Sequence, residues 1–309
     1  MSNRVLYILG NGFDLYHKLP TLFSDFGKYV ETNQLELNNY LERYFHYVDL
    51  WNDFENVLST FDISEFFSEN EDLFPDEDSD NSGDTYVLED VAEQTIKTLT
   101  TGLRNLLRDY LLQIRYIDKQ FLNLDKEATF LTFNYTNSLE RIYQIAPKRI
   151  TYLHNRAKSE KHLFKPDEYD YLTDDSDIII GHGVNDKVVT MPKQYRRGIK
   201  TAIALEDAFD KLLLYYKESF KDTKQIISDN SCFFDCLTHI DKIIIIGHSL
   251  SDIDMPYFQE IYKKANNVKE WKITYHGNDE LSKIKSQVLK FLPKLKNVYF
   301  LNSENDLII

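Results

Sequence analysis

Cysteine is nearly missing from this chain: there are only Cys232 and Cys236, four positions apart. Two thiols build neither a disulfide framework nor a four-thiolate zinc site, so no metal is expected and the pair reads as two small, semi-buried residues. Long apolar runs are missing too. None reaches the ~20 residues of a membrane-spanning helix, and no signal peptide is read ahead of the first strand. No membrane association and a reduced, cytoplasmic setting are the expectation. Positive charge is in short supply, with 36 Lys and Arg against 50 Asp and Glu, a net charge of −14. Nucleic acid is therefore not an expected partner, because reading a phosphate backbone takes a clustered positive surface.

Aromatic residues are plentiful, at 14% with 21 Tyr and 20 Phe, and argue for a well-filled globular core. Half of the charge imbalance is local: Glu69 to Asp84 holds eight acidic residues and no basic one. That stretch has little to bury and is expected to be a flexible acidic loop. The rest of the chain is organised around its first fifteen residues. Val5-Leu6-Tyr7-Ile8-Leu9 reads as a buried, parallel-type strand. Gly10-Asn11-Gly12-Phe13-Asp14-Leu15 follows at once, and two glycines one residue apart allow a tight turn with close backbone approach to a ligand. The third glycine of the usual dinucleotide fingerprint is lacking.

Apolar stretches then alternate with helical patterns. Strands are predicted at Thr129–Thr132, Arg149–Leu153, Asp177–Ile180, Lys242–Ile246, Trp271–Tyr275 and Val298–Leu301. A long helix is predicted from Leu88 to about Tyr116, with Thr100-Thr101-Gly102 as a bend, and another from about Ala204 to Ile227. The pattern implies an α/β fold: an open, mostly parallel, Rossmann-like sheet with helices on both faces. We expect one domain over residues 1–309, with an α-helical insertion at about 33–125 that carries the acidic loop 69–84.

In such sheets ligands bind beyond the carboxyl ends of the strands. Those ends carry Gly10-Asn11-Gly12-Phe13-Asp14, Phe133-Asn134-Tyr135-Thr136, His154-Asn155, Gly181-His182-Gly183 and Gly247-His248-Ser249-Leu250-Ser251-Asp252-Ile253-Asp254. A lone strand-end His or Asn is more often a turn-forming residue than a catalyst. Five polar loops on one edge reverse that preference.

The first and last of these motifs, together with Trp51-x-x-x-Glu55 and Thr132-Phe133-Asn134-Tyr135-Thr136, resemble the AbiH family of bacterial phage abortive-infection proteins. That family is in turn similar to the sirtuin-like NAD-binding fold. The resemblance implies that Gly10 and Gly12 form the cofactor-fold glycine turn, with Asn11, Phe13 and Asp14 beside it. It puts Asn134 on the asparagine that holds the reacting water, His154 on the general base, and Gly247, His248, Ser249 and Leu250 on a later nucleotide loop. Thr136 stands where sirtuins have the aspartate that holds the nicotinamide amide, and Asn155 stands where they have a glycine. The four-cysteine zinc module is missing, so protein deacylation is not expected.

Hydrolysis of the nicotinamide N-glycosidic bond suits these residues. The leaving group is already activated by its positive charge, so a positioned water, a histidine and exclusion of bulk solvent suffice. Asp14 or Asp254 could bind ribose hydroxyls, and helix capping is an equal alternative for each. The expectation is an anti-phage effector that hydrolyses NAD+ as substrate and has no resident cofactor. Its partners would be NAD+ or a related nucleotide, and a homo-oligomer or a defence-system partner protein is compatible with this reading. A nucleotide-binding sensor without turnover is the alternative. A Rossmann-type oxidoreductase is disfavoured by the missing fingerprint glycine.

Overall fold

Val5–Leu9 (β1) becomes the middle of the sheet because each of its last four side chains has somewhere apolar to go: Leu6, Tyr7, Ile8 and Leu9 are all buried. A strand covered on both faces belongs inside a parallel sheet rather than at its margin. In the computed structural model β1 pairs in parallel with Thr129–Thr132 (β2) on one side. Further out on that side lies Ile150–Tyr152 (β3). Lys242–Ile246 (β4) pairs on the other side, followed by Glu270–Tyr275 (β5) and Val298–Asn302 (β6). All six strands are parallel, in the order β3-β2-β1-β4-β5-β6, and helices flank the sheet. This is the Rossmann strand order, whose direction of winding reverses between β1 and β4. The described residues are 4–47, 49–78, 84–117, 119–158, 178–184, 189–191, 198–294 and 296–303.

The chain divides into two compact units. The first comprises Met1–Leu22, Leu111–Lys158 and Asp222–Ile309 and contains the whole sheet. One apolar cluster in it joins Tyr7, Leu9 and Phe13 to Phe130, Ile142, Tyr143, Ile244 and Ile246. Buried against Phe13, His17 has Nδ1 2.7 Å from the Phe13 carbonyl and Nε2 2.7 Å from the Tyr143 hydroxyl. A carbonyl only accepts, so Nδ1 carries the proton and Nε2 accepts from Tyr143. Burial holds the His17 pKa below its ordinary value, which matches this neutral form.

The second unit, Phe23–Tyr110 with Ser159–Lys221, is helical in its described residues. The Trp51-x-x-x-Glu55 motif has a structural explanation here. Trp51 stacks on Phe54 at 4.8 Å between ring centroids and fills the space where a Cβ on Gly27 would sit, 2.5 Å away. Glu55 accepts an ion pair at 2.7 Å from Lys221, a lysine with its side chain almost wholly buried. A buried ammonium needs such a partner.

Several boundaries differ from the sequence-based expectations. The helix expected from Leu88 to about Tyr116, with a bend at Thr100-Thr101-Gly102, is Asp84–Lys97 and Leu103–Leu112, joined by a five-residue π-helix at Thr98–Gly102. Thr100 donates from its hydroxyl to the Ile96 carbonyl and to Glu218, so side-chain hydrogen bonding accompanies the wider turn. The Ala204–Ile227 helix splits into Ile199–Glu218 and Thr223–Asp229, with Asp222 capping the second. Of the acidic stretch, residues 79–83 lie outside the described residues. Glu71–Leu73 forms a 3-10 turn, and Glu77 accepts from the backbone N–H groups of Lys200 and Thr201 at the start of Ile199–Glu218. Cys232 and Cys236 are exposed rather than semi-buried. No helix among the described residues is long and apolar enough to cross a membrane.

The strand expected at Asp177–Ile180 is not part of the sheet. Asp177 lies outside the described residues, and Ile178–Ile180 has no strand assignment. His182 forms an isolated bridge to Phe220 in the second unit, where Gly181 packs so closely that a Cβ would lie 2.0 Å from the Ser219 carbonyl oxygen. An apolar run before Gly-x-Gly looks like a strand by periodicity, but here the residues after it pair with the chain just past the Ile199–Glu218 helix.

Candidate functional site

Four loops leave the carboxyl edge of the sheet side by side, and backbone hydrogen bonds tie them together. Gly10 N–H donates to the Ile246 carbonyl at 3.0 Å, Phe133 N–H to Leu9 at 2.9 Å, and Leu153 N–H to Thr132 at 3.0 Å. The loops after β1 and β4 go further and interlock. Gly12 N–H donates to the Gly247 carbonyl at 2.8 Å, and a Cβ on Gly10 would lie 2.6 Å from the His248 Cα. Gly247 has φ of +62°, and a Cβ there would meet the Gly12 carbonyl carbon at 2.4 Å. These glycines are therefore explained by backbone packing on backbone at the point where the sheet reverses its winding. Beside them Phe13 and Leu250 are buried, whereas Asn11 and Ser249 are exposed; Asn11 Nδ2 donates to the Thr21 carbonyl at 2.9 Å.

Two groups of buried polar side chains stand next to this seam. In the first, Thr136 donates its hydroxyl to Asp14 Oδ2 at 2.7 Å, and Ser138 Oγ lies 3.2 Å from that hydroxyl. Asp14 sits in the first turn of the helix Asn11–Tyr16, only 1% exposed. Burial pushes its carboxyl up to about 6, while the Thr136, Ser138 and Asn134 side chains pull it part of the way back. Among the described residues, its Oδ1 and the Asn134 Nδ2 are both buried atoms with no hydrogen-bond partner. Burial, with the Asp14 charge second, likewise pushes the neighbouring Tyr116 phenol up to about 12.

The second group is built on Asp254, at the N-cap of the ten-residue helix Met255–Lys264. Its carboxylate lies between two buried imidazoles: Oδ1 is 3.9 Å from His154 Nε2, and Oδ2 is 3.7 Å from His248 Nε2. The Ser251 hydroxyl donates to Oδ2 at 3.0 Å. Phe133 packs edge-on against both rings, at 5.3 Å from His154 and 4.2 Å from His248, and Tyr257 lies 5.7 Å from His154. Asn155, just after His154, has φ of +59°. Asn tolerates this left-handed conformation better than most residues, which explains how it serves where a glycine is the alternative.

The strand-end residues thus fall into two neighbouring groups. Asn134 joins Asp14 and Thr136, whereas His154 joins His248 and Asp254, and the adjacent Phe133 side chain lines the second group. Neither aspartate caps its helix through a side-chain hydrogen bond. His182 belongs to the second unit. Sequence reasoning gave no role to Ser138, Ser251 or Tyr257. Ser251 had a signal, standing three residues before Asp254 inside a polar loop; Ser138 and Tyr257 had none beyond following such loops. Among the described residues no group of three or more His, Cys, Asp or Glu side chains is placed to hold a metal ion.

Buried imidazole paired with carboxylate suits proton transfer near neutral pH. The second carboxylate, shifted toward neutrality, suits the recognition of a polar group by either of its protonation states. Compared with known families, residues 6–275 match the family described as bacteriophage abortive infection AbiH. No curated protein and no solved structure matches the chain.

Proposed function

The chain belongs to the bacteriophage abortive infection AbiH family, and on that premise we propose that it acts in phage abortive infection by hydrolysing NAD+ to nicotinamide and ADP-ribose. The observation that carries the chemical half of this reading is the His154–Asp254 pair at the β1/β4 reversal of a Rossmann-ordered sheet. A nucleotide lying along the Gly10-Asn11-Gly12 and Gly247-His248-Ser249 loops would bring its ribose to the buried polar groups. Asn134 then orients the attacking water and His154 takes its proton as the water oxygen bonds to the anomeric carbon. The C–N bond electrons leave with nicotinamide, which departs neutral. Asp14, held by Thr136, supplies a carboxylate next to the position where sirtuins have one.

The test is incubation of the purified protein with NAD+ and chromatography of the products. Nicotinamide and ADP-ribose in equal amounts support the reading. Binding without product favours the second reading, a nucleotide sensor. One residue favours that alternative: Thr136 stands where sirtuins have the aspartate that holds the nicotinamide amide.

A further inference from the structure

We propose that Asp14 is a further catalytic residue of this site: its Oδ1 and the Asn134 Nδ2 together hold the water that attacks the ribose. The catalytic half rests on the hydrolytic reading above; the water site itself does not.

Two atoms point to it. Asp14 Oδ1 and Asn134 Nδ2 are buried, in residues only 1% and 6% exposed, and neither has a hydrogen-bond partner among the described residues. An unpaired buried polar atom is costly, and two in one small group are costly unless something joins them. These two are complementary, because a carboxylate oxygen accepts and an amide nitrogen donates. Burial pushes the Asp14 carboxyl up to about 6, and the Thr136, Ser138 and Asn134 side chains offset part of that rise. The Asn134 amide therefore lies beside the carboxylate without meeting hydrogen-bond geometry to Oδ1. A close donor and acceptor that do not bond directly are joined by a water, which gives a hydrogen to the carboxylate and takes one from the amide.

Both anchors are held in place. The Thr136 hydroxyl donates to Asp14 Oδ2 at 2.7 Å, which fixes the carboxylate plane and directs Oδ1 to the water. The Asn134 backbone N–H donates to the Thr132 hydroxyl at 3.0 Å. With its pKa near 6, Asp14 is mostly ionised at neutral pH and so accepts. Water has two hydrogens and two lone pairs. Asp14 engages one hydrogen and Asn134 one lone pair, which leaves the second lone pair for the anomeric carbon and the second hydrogen for His154. The strand order places the loop carrying Asn134, after β2, between those carrying Asp14 and His154, after β1 and β3. As the C–O bond forms, the second hydrogen passes to His154 as a proton and the first stays on the new ribose hydroxyl. The C–N electrons leave with neutral nicotinamide.

The experiment pairs a crystal structure of the full chain without nucleotide with the kinetics of Asp14→Asn. Density should show a water ~2.7–3.2 Å from both atoms. In the variant the amide keeps its carbonyl on the Thr136 donor and turns its NH2 to the water, which then faces two donors with both lone pairs engaged. Nicotinamide release should lose roughly 10²–10⁴-fold in kcat. KM for NAD+ should stay within about threefold, a split that a purely structural role would not give. A direct Asp14–Asn134 bond, or no water touching both atoms, overturns the water site. Near-wild-type kcat in Asp14→Asn overturns the catalytic role of Asp14 and leaves the hydrolytic reading standing. If Asp14→Asn does not fold, Asp14→Ser, whose hydroxyl falls short of the water, carries the same kinetic test. Wild-type protein that releases no nicotinamide removes the hydrolytic reading and the catalytic role together, and the density alone then judges the water site.

Discussion

Asp14 is a buried carboxylate with one oxygen bonded to Thr136 and the other without a partner among the described residues. Its folded pKa is raised from 3.8 to about 6. A raised carboxylate contributes stability below its unfolded pKa and loses it as pH rises through the folded value. Ionised Asp14 therefore weakens the fold at neutral pH, as groups kept for function often do. Asp14→Asn should stabilise the protein by roughly 1–3 kcal/mol above pH 6, given ~1.4 kcal/mol per pKa unit. Near pH 3.5 the gain should vanish; urea melts at the two pH values check both halves. Asn134→Ala and His154→Ala address function rather than stability. Either should lower nicotinamide release by roughly 10²–10⁴-fold, the usual range for a group that positions or moves a proton. The double variant should be little worse than the worse single one, since both act on one step. Turnover near the wild-type value in both would remove them from the mechanism.

The element that matters most is the seam between the loops after β1 and β4. Among the described residues two glycines, Gly247 and Gly277, have positive φ, and they separate two sources of strain. At Gly247 an added Cβ meets the Gly12 backbone, whereas at Gly277, with φ of +70°, it meets nothing within 4 Å. Gly277→Ala should cost only the left-handed backbone penalty, about 1–2 kcal/mol. Gly247→Ala adds a clash of backbone against backbone that no side-chain rotation relieves, and should cost roughly 3–5 kcal/mol. Comparing the two by chemical denaturation tests whether the seam is an interlock. Equal, small losses would mean that the loops separate freely, which would favour glycines kept for a ligand.

At the scale of the whole molecule, charge sets the terms for binding. A net charge of −14 repels an anionic dinucleotide, and the side chains gathered at the candidate site include Asp14 and Asp254. Screening should therefore help rather than hinder. Raising ionic strength from about 0.02 to 0.2 M, where the Debye length shrinks to less than ~10 Å, should tighten NAD+ binding by a few-fold. Weaker binding at high salt would point to a local positive patch that overrides the net charge.

The sequence by itself determined the class of fold. Val5–Leu9 and Lys242–Ile246 are short apolar runs whose side chains can be satisfied only by cover on both faces, and this covering makes a parallel sheet. It also marked the strand-end loops, because glycine and paired polar residues after a strand are local features. What it could not assign was partnership. The run at Ile178–Ile180 resembles a strand, yet His182 finds Phe220, since periodicity records that a segment is buried and not what buries it. Glycines that read as room for a phosphate are filled by another loop's backbone, 234 or more residues distant in the chain and adjacent through β1–β4 pairing. Asp254 meets His154 and His248, and Asp14 meets Thr136, for the same reason. Which side chains share a proton depends on distances of a few ångströms between loops, and only the tertiary packing of the strands sets those distances.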